Sequence, residues 1–216
     1  MTYPGQKNIP GVIQKIINEI PRHNHYYEIF AGTGAIGQHL PFSKSKHYND
    51  LNKTILQAIN EPSGNTVIKT SRAATDIIQL LTTAGTDTFI FCDPPYLHLT
   101  RNNNKLYEHE MTVLDHIDFI AAVKLLKCNC MIIHPACELY EQLLQSWRNI
   151  TLKIRYHKKT SIENLYMNYH KQELHTYRYI GKDCWQRQGF KRKAHRHLKL
   201  SIPIPFQENT YITDML

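Results

Sequence analysis

The segment Phe89-Ile90-Phe91-Cys92-Asp93-Pro94-Pro95-Tyr96 joins a short apolar run to an acid, two prolines and a tyrosine. The apolar part is aromatic and β-branched, and proline cannot continue the hydrogen bonding of a strand, so the segment predicts a buried strand that ends at Asp93. In open α/β sheets, ligands bind outside the carboxyl ends of the strands. We therefore expect Asp93 to lie at a ligand-binding edge.

The four residues from Asp93 to Tyr96 suit a planar group that carries an NH2. The Asp93 carboxylate and the Pro94 carbonyl offer one acceptor for each amine hydrogen, and Pro94 and Pro95 stiffen the turn. Tyr96 supplies an aromatic face for stacking. The alternative is a strand that ends in an ordinary proline turn with a surface aspartate.

A glycine-containing loop follows a predicted strand at residues 26–30. Gly32, Gly34 and Gly37 have the GxGxxG spacing that brings a backbone close to a nucleoside cofactor. The loop lacks the GK[ST] of triphosphate sites, and the chain lacks the length of a hydride-transfer enzyme, so S-adenosylmethionine fits better than ATP or NAD. Asp50 ends the next predicted strand, where it is placed to accept both ribose hydroxyls or, alternatively, to cap the following helix.

Predicted strands and helices alternate as far as residue 169, which indicates an α/β fold. We expect a mixed, mostly parallel sheet of seven strands, with the last strand antiparallel and helices on both faces. Residues 157–161 form a predicted basic turn. In the helix that begins after Thr112, the positions predicted to face inward are Val113, Ile117, Ile120, Ala121 and Leu125.

The composition fits one catalytic domain, residues 1–170, followed by a basic extension, residues 171–216. The chain has 216 residues, 42% of them apolar, and a formal charge of +8, which permits a polyanionic partner. No apolar run is long enough for a membrane helix, and no signal-peptide pattern is present, so we expect a cytoplasmic protein with no membrane partner. The five cysteines and thirteen histidines are scattered without metal-ligand spacing, so we expect reduced cysteines and no metal.

Basic residues cluster where contact with nucleic acid phosphates is expected, and aromatic residues are interleaved with them near the carboxyl end. One group lies in the polar loop at residues 97–110, which we expect to be a lid or a substrate contact. The alternative is a solvated loop and a basic tail. The predicted nucleic-acid contacts are Arg101, Lys105, Lys158, Lys159, Arg187, Lys191, Arg192 and Lys193.

Four motifs occur in a specific order along the chain. They are Tyr3-Pro4-Gly5 with Lys7, Glu28-x-Phe30-x-Gly32-x-Gly34, Asn49-Asp50, and Asp93-Pro94-Pro95-Tyr96. Together they resemble the Dam-like, DPPY-motif family of DNA adenine-N6 methyltransferases, in the compact form found in phages and prophages, and the resemblance covers residues 3–199. Two positions depart from the family: Gln6 replaces the usual glycine, and residues 71–73 stand where an acid is often found.

The resemblance implies a Rossmann-like fold, S-adenosylmethionine as methyl donor, and adenine flipped out of DNA as acceptor. Asp93, Pro94, Pro95 and Tyr96 would be the catalytic residues, in a monomer or weak dimer. The residues implied around the cofactor are Tyr3, Lys7, Glu28, Phe30, Gly32, Gly34, Asp50 and Asp93.

The interval between Asp50 and Asp93 is short, which leaves no room for the long target-recognition segment of many relatives. We therefore predict weak or short sequence discrimination. Two alternatives keep the fold: a methyltransferase acting on RNA bases or a protein amide, and an inactive homologue that only binds nucleic acid.

Overall fold

The computed structural model describes residue 7 and residues 12–40, 43–60, 66–101, 107–156 and 159–170. Seven strands form one mixed sheet in the order β3-β2-β1-β4-β5-β7-β6. The strands are β1 His25–Ile29, β2 Ser45–Asn49, β3 Thr66–Thr70, β4 Thr88–Cys92, β5 Asn129–Pro135, β6 Arg148–Tyr156 and β7 Lys159–Met167. The helices are α1 Val12–Ile17, α2 Lys53–Ala58, α3 Ala74–Leu80, α4 Val113–Val123 and α5 Glu138–Leu143.

The first five strands are parallel, and β7 is antiparallel to both β5 and β6. Parallel sheets need cover on both faces, and β4 is buried at every position. Its side chains alternate: Phe89 and Phe91 join one apolar cluster, and Ile90 and Cys92 join another. Helix α1 packs in the first cluster, and helices α3, α4 and α5 pack in the second. The predicted fold class is confirmed.

The inward face predicted for α4 is wrong except at Ile120. Val113, Ile117 and Leu125 are exposed, and the buried side chains are His116, Phe119, Ile120 and Val123. Both sets have helical spacing, so periodicity alone does not separate them. The buried face includes a histidine, which is accommodated because its Nδ1 hydrogen-bonds the Tyr140 hydroxyl at 2.9 Å.

Two local predictions are also corrected. Asn52, rather than Asp50, is the N-cap of α2, because its side chain accepts the backbone N–H of Ile55. The basic segment at residues 157–161 is not wholly a turn: β7 begins at Lys159, which pairs with Tyr156 of β6. The two strands therefore form a hairpin, and the antiparallel strand starts earlier than expected.

The sheet order reverses beside β1, whose neighbours are β2 on one side and β4 on the other. At such a switch point the loops after adjacent strands turn to opposite faces and leave a crevice. The Asp93 N–H donates to the Ile29 carbonyl, which holds Asp93 at this edge. Because β7 is antiparallel, its first half reaches the same edge, where Glu163 lies opposite Pro135.

Candidate active site

A cavity lies at the carboxyl edge of β1, β2 and β4. Its walls are formed by the glycine loop, the end of β2, the Asp93 turn and a segment at residues 107–111. Six of the residues predicted around a cofactor line it, and so does Pro95 from the catalytic set. The six are Lys7, Glu28, Phe30, Gly32, Asp50 and Asp93. The lining also includes Ala31, Thr33, Ala35, Ile36, Leu51, Asn52, Phe91, Tyr107, Glu108, His109, Glu110 and Met111.

The glycine loop turns sharply through left-handed backbone conformations. Phe30, Gly32 and Gly34 have φ values of 65°, 50° and 66°. Glycine adopts this region without the steric cost that a side chain imposes, whereas Phe30 carries a modest strain. The loop stays close to β2, because the Ala31 N–H donates to the Asn49 carbonyl at 2.9 Å. Gly34 is not among the cavity-lining residues; a Cβ at this position would lie 3.0 Å from Cε1 of Tyr48 and 3.1 Å from Cδ1 of Ile59.

Glu28 anchors the far end of this loop. Its Oε2 accepts the Gly37 N–H at 2.8 Å and the Tyr26 hydroxyl at 3.0 Å. Burial raises the pKa of the Glu28 carboxyl to about 8, although both hydrogen bonds oppose that shift. At neutral pH, Glu28 is therefore mainly protonated, and its contacts organise the loop.

Gly37 leaves no space for a side chain. A Cβ at this position would lie 2.8 Å from Glu28 Oε2 and 2.7 Å from Cε1 of Tyr48. We predict that Gly37→Ala lowers the free energy of unfolding by about 1–3 kcal/mol, because a buried polar contact must shift. Gly85→Ala is the matched control, since its nearest neighbour would be 3.8 Å away. Urea denaturation of both variants tests this, and equal stabilities would contradict it.

Asp50 is fixed by two backbone donors. The Gly32 N–H donates to Oδ2 at 2.8 Å, and the Asn52 N–H donates to Oδ1 at 2.9 Å. Each carboxylate oxygen has a further lone pair for a hydroxyl. Asp50 thus provides two hydrogen-bond acceptors for ribose hydroxyls, and the left-handed loop around Gly32 allows a nucleoside to approach the backbone closely. These are two features of a nucleoside-binding site.

Lys7 reaches the Asp93 turn from before α1. Its Nζ lies 2.9 Å from Asp93 Oδ1 and donates to the Tyr96 hydroxyl at 2.7 Å. The side chain of Lys7 is 2% exposed, whereas that of Asp93 is 18% exposed. Both side chains line the cavity, and the acid is the more accessible of the two.

Burial raises the pKa of the Asp93 carboxyl to about 6. The nearby Lys7 ammonium opposes this shift, and the Glu163 carboxylate reinforces it. Asp93 is therefore mainly ionised above neutral pH, and it can accept hydrogen bonds from an amine. Of the other catalytic candidates, Pro94 is buried, and Tyr96 and Pro95 are partly exposed.

Sequence reasoning missed Glu163 and most of the segment at residues 107–111. Glu163 precedes the predicted seventh strand, and only the antiparallel return of β7 brings it to the site. The segment does belong to the loop predicted to be a lid or a substrate contact. It is linked to the cavity by the Asn52 side-chain amide, which donates to Glu108.

Arg101 lies next to this segment and pairs with Glu110. Its side chain is 6% exposed, so it would have to leave Glu110 to contact a phosphate. The other predicted nucleic-acid contacts remain predictions. Their side chains lie outside the described part of the structure, as do Tyr3 and the basic extension at residues 171–216. These cations are Lys105, Lys158, Lys159, Arg187, Lys191, Arg192 and Lys193.

Nowhere in the described ranges do three or more His, Cys, Asp or Glu side chains come together in a way that suits a metal ion. The four described cysteines, Cys92, Cys128, Cys130 and Cys137, are free. Among the helices described, none has the length and apolar character needed to cross a bilayer.

No protein-family model matches the sequence, and no curated protein matches it. Among solved structures, the N-methyltransferase NodS from Bradyrhizobium japonicum WM9 aligns with a TM-score of 0.51 and 10% identity, over 74% of this chain and 94% of NodS. A SAM-dependent methyltransferase from Agrobacterium tumefaciens aligns with a TM-score of 0.49 and 13% identity, over 73% of this chain and 60% of that one. A putative RNA methyltransferase from Pyrococcus horikoshii aligns with a TM-score of 0.46 and 11% identity, over 76% of this chain and 84% of that one.

Identities this low establish the fold alone. The NodS alignment spans most of both chains. The chain has the Rossmann-like fold of S-adenosylmethionine-dependent methyltransferases.

Proposed function

We propose that the protein transfers a methyl group from S-adenosylmethionine to the N6 amino group of adenine in DNA. The observation that carries the proposal is the position of Asp93: a carboxylate held by Lys7 at the rim of a cavity that the glycine loop also lines. The methyl-accepting amine and the nucleoside would then share one site. Such proximity is a large part of what an enzyme contributes to group transfer.

The chain's own residues suit the methyl donor. Asp50 would accept the ribose hydroxyls, and the backbone at Gly32 would approach the nucleoside. Phe30 and Leu51 line the same cavity and supply apolar surface. Bound there, S-adenosylmethionine supplies an electrophilic methyl group on a positively charged sulfur.

The acceptor side needs hydrogen-bond acceptors rather than a nucleophilic side chain. The N6 amine of adenine is a weak nucleophile because its lone pair is shared with the ring. Hydrogen bonds from this NH2 to Asp93 and to the Pro94 carbonyl would localise the lone pair on nitrogen. The methyl group that the bound cofactor would supply could then pass to N6, with the electron pair of the carbon–sulfur bond remaining on sulfur, and N6 would lose one proton to water. Stacking on Tyr96 would offset part of the cost of flipping the base.

DNA is favoured over RNA or a protein amide by the motif order at the amino terminus and by the basic carboxyl region. An RNA base or a glutamine amide presents the same planar NH2, so the Asp93 turn alone does not choose among them. An inactive nucleic-acid-binding homologue would not need the Lys7–Asp93 pair.

We expect incubation with labelled S-adenosylmethionine and unmethylated genomic DNA to give N6-methyladenine on nucleoside digestion and mass spectrometry. Total RNA and a protein extract serve as competing acceptors, and Asp93→Ala serves as the inactive control. Mapping the modified sites tests the prediction of weak discrimination, because methylation confined to one long site would contradict it. Label in RNA or protein alone would overturn the DNA assignment. Failure to bind S-adenosylmethionine would overturn the whole proposal.

A further inference from the structure

Four polar side chains from three parts of the chain, Lys7, the Asp93–Tyr96 turn and β7, meet at the wall of the cavity. Lys7 contacts Asp93 and Tyr96, as described above, and its Nζ is also 3.6 Å from Glu163 Oε2. The Tyr96 hydroxyl donates to Glu163 Oε1 at 2.8 Å. Glu163 is fully buried. Charged groups are rarely buried unless they are paired, so this cluster has a specific arrangement that the protein maintains at some cost.

The Tyr96 hydroxyl is held from two sides. It accepts a hydrogen bond from Lys7 and donates one to Glu163. These bonds fix the far end of the ring, while the backbone after Pro95 fixes the near end. A ring held in this way has little freedom to lose when a substrate stacks on it, which is the advantage of preorganisation.

We propose that Glu163 is a positioning residue for methyl transfer, which orients the Tyr96 ring and the Lys7 ammonium, and through Lys7 the Asp93 carboxylate. The inference rests on the proposed function, since it assigns the network to the acceptor side of the reaction. Glu163 lies behind Lys7 and Tyr96 and does not line the cavity, so it acts through them. If Glu163 had only a structural role, its replacement would change the stability of the fold and leave the pH dependence of the reaction unchanged.

The charge of Glu163 gives the proposal a separate readout. Glu163 helps to raise the pKa of Asp93, so removal of its charge should lower that pKa from about 6. Because Asp93 must be ionised to accept the amine, the acidic limb of the pH–rate profile should move to lower pH. Three buried neighbours titrate away from this limb, because burial lowers the pKa of His134 to about 3 and raises the pKa values of Glu28, to about 8, and of Tyr140. The titratable groups that face Asp93 or its partners are Lys7, Glu28, Tyr96, His134, Tyr140 and Glu163.

Glu163→Gln tests the proposal, because glutamine retains an acceptor for the Tyr96 hydroxyl and removes the charge. We expect kcat to fall between about 10-fold and 100-fold, since misplacement by about 1 Å can cost about 10²-fold. S-adenosylmethionine affinity should stay within about twofold of the wild-type value, because the network adjoins the acceptor. The matched control is Glu141→Gln, an exposed glutamate on α5. Wild-type kcat with an unshifted acidic limb in Glu163→Gln would overturn the proposal.

Two further measurements keep the test decisive. If Glu163→Gln does not fold, Tyr96→Phe removes the hydroxyl and keeps the ring; it should lower kcat with cofactor affinity retained, and unchanged kcat would overturn the proposal. If the wild-type protein methylates no acceptor, the proposed function fails, and carboxyl NMR of Asp93 still decides the network. A lower pKa of Asp93 in Glu163→Gln than in the wild-type protein supports the arrangement, and an unchanged pKa refutes it.

Discussion

The methyl-transfer rate of Asp93→Ala is expected to be at least about 10²- to 10³-fold below that of the wild-type protein, while the variant still binds S-adenosylmethionine and remains folded. A decrease of this size is expected when one positioned hydrogen-bond partner is removed from a site that is shielded from water. Folding should survive because the remaining charges balance: the Lys7 ammonium keeps Glu163 within 3.6 Å and the Tyr96 hydroxyl within 2.7 Å. The measurements are single-turnover methyl transfer, calorimetric cofactor binding and thermal unfolding.

Asp76→Ala is the matched control for this variant. Asp76 lies on α3, its side chain is 51% exposed, and its contact is a surface ion pair with Arg72. Surface pairs of this kind contribute little, so the control should be close to the wild-type protein in rate and stability. A near-wild-type rate in Asp93→Ala would refute the role of Asp93. If Asp93→Ala no longer binds the cofactor, Asp93 would be assigned to the binding of S-adenosylmethionine rather than to the methyl-accepting amine.

The parallel half of the fold was predictable because its signals are local. The apolar run of β4 ends at Asp93-Pro94-Pro95 and the glycines follow β1 directly, so strand ends and functional residues coincide in the sequence. Asp50 lies at the cavity for the same reason, since it directly follows β2, and its predicted contact with ribose hydroxyls stays a prediction. The part of the α4 face that was wrong shows the limit of this approach. Two apolar stripes compete there, and tertiary packing against Tyr140 selects the one that contains His116.

Glu163 could not be predicted, because its role depends on a long-range juxtaposition. Glu163 contacts Lys7 and Tyr96, which are far from it in the sequence. It reaches them because β7 runs antiparallel to its neighbours in the sheet. Nothing near Glu163 in the chain marks it as different from a surface acid in an antiparallel strand. Lys7 poses the same difficulty. Its place before a helix suggested a ligand contact, whereas the structure adds a direct bond to Asp93.

Lys7→Met is expected to destabilise the protein by about 3–5 kcal/mol near pH 8, the range seen when one member of a buried ion pair is removed. The variant leaves the Asp93 and Glu163 carboxylates near each other without the cation that separates their charges. Methyl transfer should fall as well, because Asp93 loses the contact that favours its ionised form. Urea denaturation at several pH values measures the first effect, and the pH–rate profile measures the second.

The pH dependence of this loss separates the electrostatic cause from a simple loss of packing. In the folded protein the pKa of Asp93 is about 6, above the value of about 3.9 for an unfolded aspartate. The folded state therefore binds the proton more tightly, so the stabilising effect of that proton is present below about pH 4 and is lost as the pH rises through 6. Without Lys7 the folded pKa of Asp93 rises further, so the loss continues to higher pH.

The penalty of Lys7→Met should therefore be small near pH 5 and largest near pH 8. Lys127→Met, at an exposed position, is the matched control and should show no such trend. A penalty in Lys7→Met that is equal at both pH values would mean that the lysine contributes through its apolar stem. In that case the charge of Lys7 would not be what keeps Asp93 ionised, and the acceptor site would need another source of its negative charge.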